Sequence, residues 1–197
     1  MKEFIDSASW TTAPVHSGTD GGTFQVEAAD GSDFWQETYY GFGRDSGHAL
    51  LVPLGARGSA GSLEVTFRAS FDQLYDQAGL MLRNSASSWI KAGVEISDGQ
   101  PHVGAVVTHL RSDWSLSPVP EWADTDVTLR ASWTGGAVTV RARNDGGPWR
   151  TLRLAPLPVD SSTQAGLYVC APEREGLRVS FSRAVFGGPD KDLHAQP

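Results

Sequence analysis

Apolar and polar residues alternate with a period of two along most of this chain. In residues 62–71, the apolar Leu63, Val65 and Phe67 are separated by polar neighbours, a pattern typical of a strand with one buried face. The same alternation returns in residues 127–133, 138–143, 149–154 and 177–182, and the 22 glycines and 11 prolines favour many turns. We therefore predict about eleven to thirteen short strands and no long helix.

The regular spacing of these strands predicts an all-β fold, a two-sheet antiparallel β-sandwich or jelly roll. A length of 197 residues suits one domain. We predict a single domain over residues 1–188, which begins with an irregular leader over 1–22, and a disordered tail over 189–197. Glycine turns at 135–136 and 144–147 predict a three-stranded meander after residue 126.

Charge and cysteine content argue against several classes of protein. Lys and Arg number 16 against 23 Asp and Glu, so the chain lacks the basic surface that nucleic acid binding needs. It contains no apolar run of membrane-spanning length and no secretory signal pattern. Its one cysteine, Cys170, allows no internal disulfide and reads as a small core residue. We expect a cytoplasmic protein without cofactor, metal, membrane or nucleic acid partner.

Two turns fix the register of three strands between residues 77 and 109. A loop over 84–88 would pair Met81 with Lys91, and an Asp98-Gly99 turn would pair Lys91 with Val106. The opposite face of these strands is apolar and predicts the core. The face of interest would carry four rows: Gln77, Glu95 and His102; Gly79, Gly93 and Gly104; Met81, Lys91 and Val106; and Arg83, Trp89 and Thr108.

The row of three glycines has two interpretations. Glycine inside a strand often marks the close approach of a ligand or of another backbone. The row could form the bare floor of a groove, between polar Gln77 and Glu95 on one side and aromatic Trp89 on the other. Alternatively, the glycines permit strong coiling of the sheet, or a loop packs over them, and the charged residues are a solvated face.

Five segments of the chain also resemble a known family. They are 33–42 (DFWQETYYGF), 75–81 (YDQAGLM), 89–95 (WIKAGVE), 106–108 (VVT) and 112–115 (SDWS). Together they resemble the domain of unknown function 1349 family, some of whose members are labelled regulation-of-enolase proteins, from about Trp10 to Phe186. The resemblance implies a concanavalin A-like lectin/glucanase sandwich, whose concave sheet is the usual surface for sugar binding or catalysis. It implies no catalytic residues, because the family brings no established activity.

Our leading functional hypothesis is a non-enzymatic module that binds a carbohydrate or a small polar metabolite on this face. Aromatic rings suit the apolar faces of sugars, while polar side chains bind the hydroxyl groups. We expect Trp114 to contact sugar, Trp35 to cap the rim of the sandwich, and His102 to hydrogen-bond to Glu95. The candidate ligand-binding residues are Tyr40, Gln77, Arg83, Trp89, Lys91, Glu95, His102, Asp113 and Trp114, above a groove floor of Gly79, Gly93 and Gly104.

Two alternatives stay open. One is a regulatory or scaffolding protein that acts through a protein partner or as a homodimer. The other is a glycoside hydrolase, which needs two carboxyl groups roughly 5–10 Å apart. Glucanases of this fold typically carry a strand with the pattern Glu-x-Asp-x-x-Glu, and this sequence contains no such string. On its face of the strand, Glu95 has only Gly93 and Ser97 as neighbours.

Overall fold

The computed structural model describes residues 1–55 and 58–197 of the chain. Its strands are β1 (Ser9–Trp10), β2 (His16–Asp20), β3 (Thr23–Glu27), β4 (Phe34–Gln36), β5 (Gly43–Asp45), β6 (His48–Pro53), β7 (Gly61–Arg68), β8 (Gln77–Ser85), β9 (Ser88–Ser97), β10 (Gln100–His109), β11 (Arg111–Pro118), β12 (Asp126–Thr134), β13 (Ala137–Asn144), β14 (Arg150–Pro156), β15 (Gln164–Cys170) and β16 (Arg178–Gly187). One short helix, α1 (Lys2–Ser7), precedes them, and a 3₁₀ turn over Pro120–Trp122 follows β11.

The strands form a sandwich of two antiparallel sheets, as the alternation predicted. The front sheet has the order β1-β6-β15-β8-β9-β10-β11, and the back sheet has the order β14-β13-β12-β7-β16-β3-β2. The remaining two strands, β4 and β5, form a separate hairpin. The predicted meander is confirmed as β12, β13 and β14 at one edge of the back sheet.

The predicted register of the front sheet is confirmed at every row. Gly79 pairs with Gly93 and Gly93 with Gly104, while Met81 and Val106 both pair with Lys91. Asp98 and Gly99 both have positive φ angles, 50° and 71°, as a two-residue type I′ turn requires. The turn chemistry therefore sets the register that brings these side chains onto one face.

Alternation places one face of each sheet in a shared core. From the front sheet this core takes Leu80, Ile90 and Val103, and from the back sheet Val65, Phe67 and Phe181. Cys170 is also buried, but in a separate, smaller apolar cluster on the other side of the front sheet. Because the core occupies one face of the front sheet, the four rows lie on the other, which we call the outer face.

The two ends of the chain differ from the sequence-based expectation. The segment that was expected to be an irregular leader contains α1, β1 and β2. In this segment, β1 extends the front sheet and β2 extends the back sheet. The expected tail has no helix or strand, yet Asp190 forms ion pairs with Arg130 and Arg141 of the back sheet. In the part of the chain that the structure describes, no helix has the length and apolar character to cross a membrane.

Candidate functional site

The β4–β5 hairpin covers one end of the outer face. Phe34 is fully buried with its ring centroid 6.2 Å from that of Trp89. Arg83 donates two hydrogen bonds of 2.7 Å to the carboxylate of Asp45 and so ties the hairpin to β8. The cluster beneath the hairpin consists of Phe34, Trp35, Ala49, Leu51, Met81, Trp89, Val106, Tyr168 and Cys170. The hairpin therefore closes the Arg83 and Trp89 end and leaves the Gln77 and Glu95 end open.

The predicted glycine row exists, but it is not a bare floor. Tyr168 of β15 pairs with Gly79, and its hydroxyl would lie 2.7 Å from a Cβ atom added to Gly93. At the other end of the row, the Leu116 side chain would lie 2.8 Å from a Cβ atom on Gly104. Tyr168 and Leu116 thus occupy the space that glycine vacates, and the expectation of an empty groove floor is corrected.

The glycines also allow the strands themselves to approach one another. A Cβ atom on Gly79 would lie 2.0 Å from the carbonyl oxygen of Ala92, and one on Gly104 would lie 2.0 Å from that of Ser115. No side-chain rearrangement can relieve a collision with the backbone of a paired strand. Close backbone approach is therefore the physical reason for glycine in this row.

Lys91 forms the polar centre of the site. Its ammonium group donates to Asp33 Oδ1 at 3.0 Å and to Gln77 Oε1 at 2.7 Å, and it lies 5.8 Å from the ring centroid of Tyr168. Burial is the largest single effect on Lys91 and works to lower its pKa, but the neighbouring acidic groups, Asp33 first among them, together outweigh burial and the pKa is raised. Lys91 is therefore a buried, charged group that links β8 and β9 to the segment before β4.

Beside Lys91, the outer face opens into a pocket of about 310 Å³. This volume falls at the small end of the range of ligand sites, roughly 300–1,000 Å³. The lining residues come from the hairpin, the front sheet and the segment after β15: Asp33, Trp35, Tyr40, Phe42, Arg44, Tyr75, Gln77, Lys91, Glu95, Val106, Trp114, Pro172 and Glu173.

Aromatic rings form one wall of this pocket. The ring planes of Trp35 and Trp114 are at 90° with centroids 6.3 Å apart, and Tyr40 packs on the edge of Trp35 at 5.7 Å. Trp35 is almost buried, whereas Tyr40 and Trp114 are 51% and 41% exposed. The wall therefore combines a fixed inner ring with two rings that a ligand can reach.

Glu95 lies in the polar part of the pocket. It is only 9% exposed, and within residues 1–55 and 58–197 its carboxyl group has no hydrogen bond and no ion pair. Burial raises the pKa of Glu95 to about 7, against the opposing effect of Lys91. The pocket therefore contains a buried carboxyl group that has no hydrogen-bond or ion-pair partner among the described residues.

The raised pKa of Glu95 predicts a pH-dependent stability. The folded pKa of about 7 lies above the unfolded value of 4.5, so the contribution of Glu95 to stability is complete below pH 4.5 and is lost as pH rises through 7. We expect Glu95→Gln to match the wild type at pH 4.5 and to exceed its free energy of unfolding at pH 8, by at most about 3 kcal/mol. Urea denaturation at both pH values measures this difference.

Exposed Glu175 offers a matched control for that comparison. Glu175→Gln is expected to change stability equally at pH 4.5 and at pH 8. A Glu95→Gln variant that gains nothing at pH 8 relative to pH 4.5 would contradict the buried position of this carboxyl group.

The structure brings five of the nine candidate residues together: Tyr40, Gln77, Lys91, Glu95 and Trp114. It does not place Arg83, Trp89, His102 or Asp113 in the pocket lining. Arg83 is paired with Asp45, and Trp89 is fully buried beneath Phe34. Asp113 pairs with Val107, whose side chain belongs to the core, and forms an ion pair with Arg153 of the back sheet.

His102 lies opposite Glu95, as the register predicted, but the expected hydrogen bond is not formed. Its Nδ1 atom instead pairs with the carbonyl oxygen of Gln100 at 3.1 Å. Cross-strand neighbours share a row without necessarily sharing a hydrogen bond, because each side chain can turn along its own strand. The correction leaves Glu95 without its expected partner.

Eight lining residues were not among the candidate ligand-binding residues, although Val106 was predicted on the outer face and Trp35 at the rim: Asp33, Trp35, Phe42, Arg44, Tyr75, Val106, Pro172 and Glu173. Asp33, Trp35, Phe42 and Tyr75 lie inside the segments of family resemblance, and that resemblance was the available signal for them. Pro172 and Glu173 lie after β15 in a segment without periodicity, so nothing in the sequence pattern pointed to them. No group of three or more His, Cys, Asp or Glu among the described residues is arranged to hold a metal ion.

Comparison with known proteins gives both a family and a close relative. The family described as "Protein of unknown function (DUF1349)" matches residues 10–188. The chain is 38% identical over 191 residues to "Regulation of enolase protein 1" of Saccharomyces cerevisiae, an alignment that covers 96% of this chain and 94% of the relative. The sequence match thus extends over nearly the whole of both chains.

Solved structures agree with the sandwich fold. A crystal structure of a functionally unknown protein from Saccharomyces cerevisiae matches with a TM-score of 0.85 at 36% identity, over 94% of this chain and 98% of that one. A lectin from Bauhinia forficata, in complex with GalNAc, matches with a TM-score of 0.61 at 10% identity, over 95% of each chain. At that identity the second likeness concerns the fold alone, and it confirms the concanavalin-like lectin/glucanase architecture.

Proposed function

Because this chain belongs to the DUF1349 family, whose description names no activity, we propose its function from the pocket: it binds a small carbohydrate on the outer face of the front sheet. The observation that carries the proposal is the composition of the pocket, in which reachable aromatic rings face buried polar groups. Such a pairing suits a molecule with an apolar ring face and a polar edge.

The hydrogen-bonding groups of the pocket complement hydroxyl groups. An ammonium group has three donors, and Lys91 uses two of them on Asp33 and Gln77. Glu95 offers acceptor oxygens that have no hydrogen-bond partner among the residues that the structure describes. A sugar hydroxyl both donates and accepts, so adjacent hydroxyls can satisfy the third Lys91 donor and the Glu95 oxygens together. The lectin of similar fold, which was determined with a sugar bound, supports the same class of ligand.

We expect Trp114→Ala to lower sugar affinity at least about tenfold, which corresponds to about 1.4 kcal/mol. The reason is the loss of the ring at the open side of the aromatic wall. The measurement is isothermal titration calorimetry with glucose, galactose, xylose, N-acetylgalactosamine and the disaccharides lactose, maltose and xylobiose. Thermal unfolding is measured alongside, because Trp114 also packs against Trp35.

Leu154→Ala provides the control, since Leu154 is an exposed apolar residue of β14 in the other sheet. It should leave sugar affinity at the wild-type value. If no sugar of the panel binds the wild type, or if the two variants bind equally well, the proposed function fails.

A second candidate function is contact with a protein partner through the tip of the hairpin. Tyr39 is 93% exposed and stacks edge-on with Tyr40, which in turn stacks on Phe42. The name of the yeast relative, "Regulation of enolase protein 1", is compatible with such a role. Size-exclusion chromatography with light scattering shows whether the protein self-associates through this tip. A dimer formed in this way would cover the pocket and abolish sugar binding.

The hydrolase alternative would need a second carboxyl group beside Glu95. Two further carboxyl groups line the same pocket, those of Asp33 and Glu173. Asp33 is hydrogen-bonded to Lys91, which leaves Glu173 as the candidate second group. Asp33 Oδ1 also accepts a hydrogen bond from its neighbour, the Phe34 amide. Asp33 therefore has a positioning role for Lys91, and release of sugar from the disaccharides of the panel would be the observation that favours hydrolysis.

A further inference from the structure

The charged groups that line the pocket fall into two sets. The cations are engaged: Lys91 is bonded to Asp33 and Gln77, and Arg44 donates to the Gly31 carbonyl and lies over the ring of Phe42. Among the described residues, the carboxyl groups of Glu95 and Glu173 have neither a hydrogen bond nor an ion pair. The charged side chains without a partner among the described residues are therefore acidic, while Lys91 keeps one donor for a ligand hydroxyl.

The aromatic wall adds to this electron-rich character. Tyr40 and Trp114 present accessible rings on one side of the pocket, and Tyr75 lies close to both free carboxyl groups. The faces of Trp and Tyr rings attract cations, with a strength that rises as water is excluded. The aromatic rings and the free carboxyl groups therefore both favour the binding of a positively charged ligand group.

We propose that the ligand carries a protonated amine, which donates a hydrogen bond to the carboxylate of Glu95. The pocket therefore takes an amino sugar or another small polyhydroxylated amine. This inference rests on the proposed function and narrows its class of ligand. Glu95 is the receiving residue because it is 9% exposed, lines the pocket and has no protein partner among the described residues. We expect the same carboxyl groups to weaken the binding of acidic sugars and sugar phosphates.

The surroundings of Glu95 support this assignment. Burial raises the pKa of Glu95 to about 7, which means that Lys91 and the other pocket residues do not offset the cost of burying its negative charge. A bound ammonium group would stabilise it and displace the proton. The titratable groups that face Glu95 are Lys91 on its own strand, His102 on β10, Tyr168 and Cys170 on β15, Asp33 and Tyr40 from the hairpin side, Tyr75 before β8 and Glu173 after β15.

The test compares each neutral sugar with its amine and acid counterparts by calorimetry at pH 8. The probes are glucose with 6-amino-6-deoxyglucose and glucuronate, and galactose with 6-amino-6-deoxygalactose and galacturonate, in which the amine stays protonated at pH 8. A charge-assisted hydrogen bond predicts that an amine binds at least about tenfold more tightly than its neutral parent, and that the acids bind most weakly. At pH 6, binding of 6-amino-6-deoxyglucose should also release a proton, seen as a dependence of the binding heat on the buffer.

Glu95→Gln separates the role of the carboxyl group from that of the pocket. The ratio of amine affinity to parent affinity should fall to near one in this variant and stay at the wild-type value in Glu175→Gln. If the neutral sugars bind as tightly as the amines, the amine inference is overturned while the proposed function stands. If neither class binds, both fail, and an unchanged ratio in Glu95→Gln overturns the assignment of Glu95.

Discussion

Gly79→Ala is expected to lower the free energy of unfolding by about 3 kcal/mol or more, at the upper end of the cost of overpacking. The added Cβ atom would lie 2.0 Å from the carbonyl oxygen of Ala92 and 2.6 Å from the Cα atom of Gly93. Both atoms belong to β9, which is hydrogen-bonded to β8 and to β10. Because a strand in the middle of a sheet cannot move without breaking its ladders, the variant has no inexpensive way to relax.

Gly188→Ala is the matched control for this substitution. A Cβ atom there meets no atom of the described residues within 4 Å, so the variant should be close to the wild type or slightly more stable, through the smaller entropy of its unfolded chain. Urea denaturation measures both. Equal stability of the two variants would show that the strands in the glycine row do not approach as closely as described.

Lys91→Met is expected to cost about 3–5 kcal/mol, the usual penalty for removing one partner of a buried ion pair. The substitution keeps the apolar stem but removes the donor to Asp33 and to Gln77. Asp33 then keeps a charge that is largely withdrawn from water, and Gln77 keeps a carbonyl oxygen without that donor. The segment that holds Asp33 leads into β4, so the hairpin over the pocket should loosen as well.

The double variant Lys91→Met with Asp33→Asn separates the charge from the packing. It should regain a measurable part of the loss, because no unpaired charge remains. The exposed pair of Lys2 and Asp6 serves as a control, and Lys2→Met should change the denaturation midpoint very little. A Lys91→Met variant as stable as Lys2→Met would contradict the central role of the buried ammonium group.

The sequence was sufficient to predict which residues of three strands lie on the outer face. It was not sufficient to predict that the β4–β5 hairpin covers one end of that face. Alternation and two turns determine which residues of β8, β9 and β10 share a row, because register in a hairpin follows from local chemistry. Asp33 and Lys91 are 58 positions apart, and no period connects them. Segment 33–45 docks on the sheet through particular contacts, such as Arg83 with Asp45, which only the folded chain reveals.

The glycine row shows the same limit from another side. Glycine inside a strand indicates the close approach of another group, but the sequence does not show whether that group is a ligand or a neighbouring backbone. The structure assigns the close approach to the neighbouring strands and to Tyr168 of β15. The pocket lies on the face that carries the predicted rows, and its lining comes from the front sheet, from the hairpin and from the segment after β15.

The most direct test of the pocket is a sugar titration followed through the tryptophan indole signals in ¹H–¹⁵N spectra. The chain has seven tryptophans, and only Trp35 and Trp114 line the pocket. The expected result is that these two indole signals shift with each sugar that binds, while those of buried Trp122 and Trp133 stay in place. Shifts confined to tryptophans away from the pocket, such as Trp10 or Trp149, or no shift with any sugar of the panel, would contradict it.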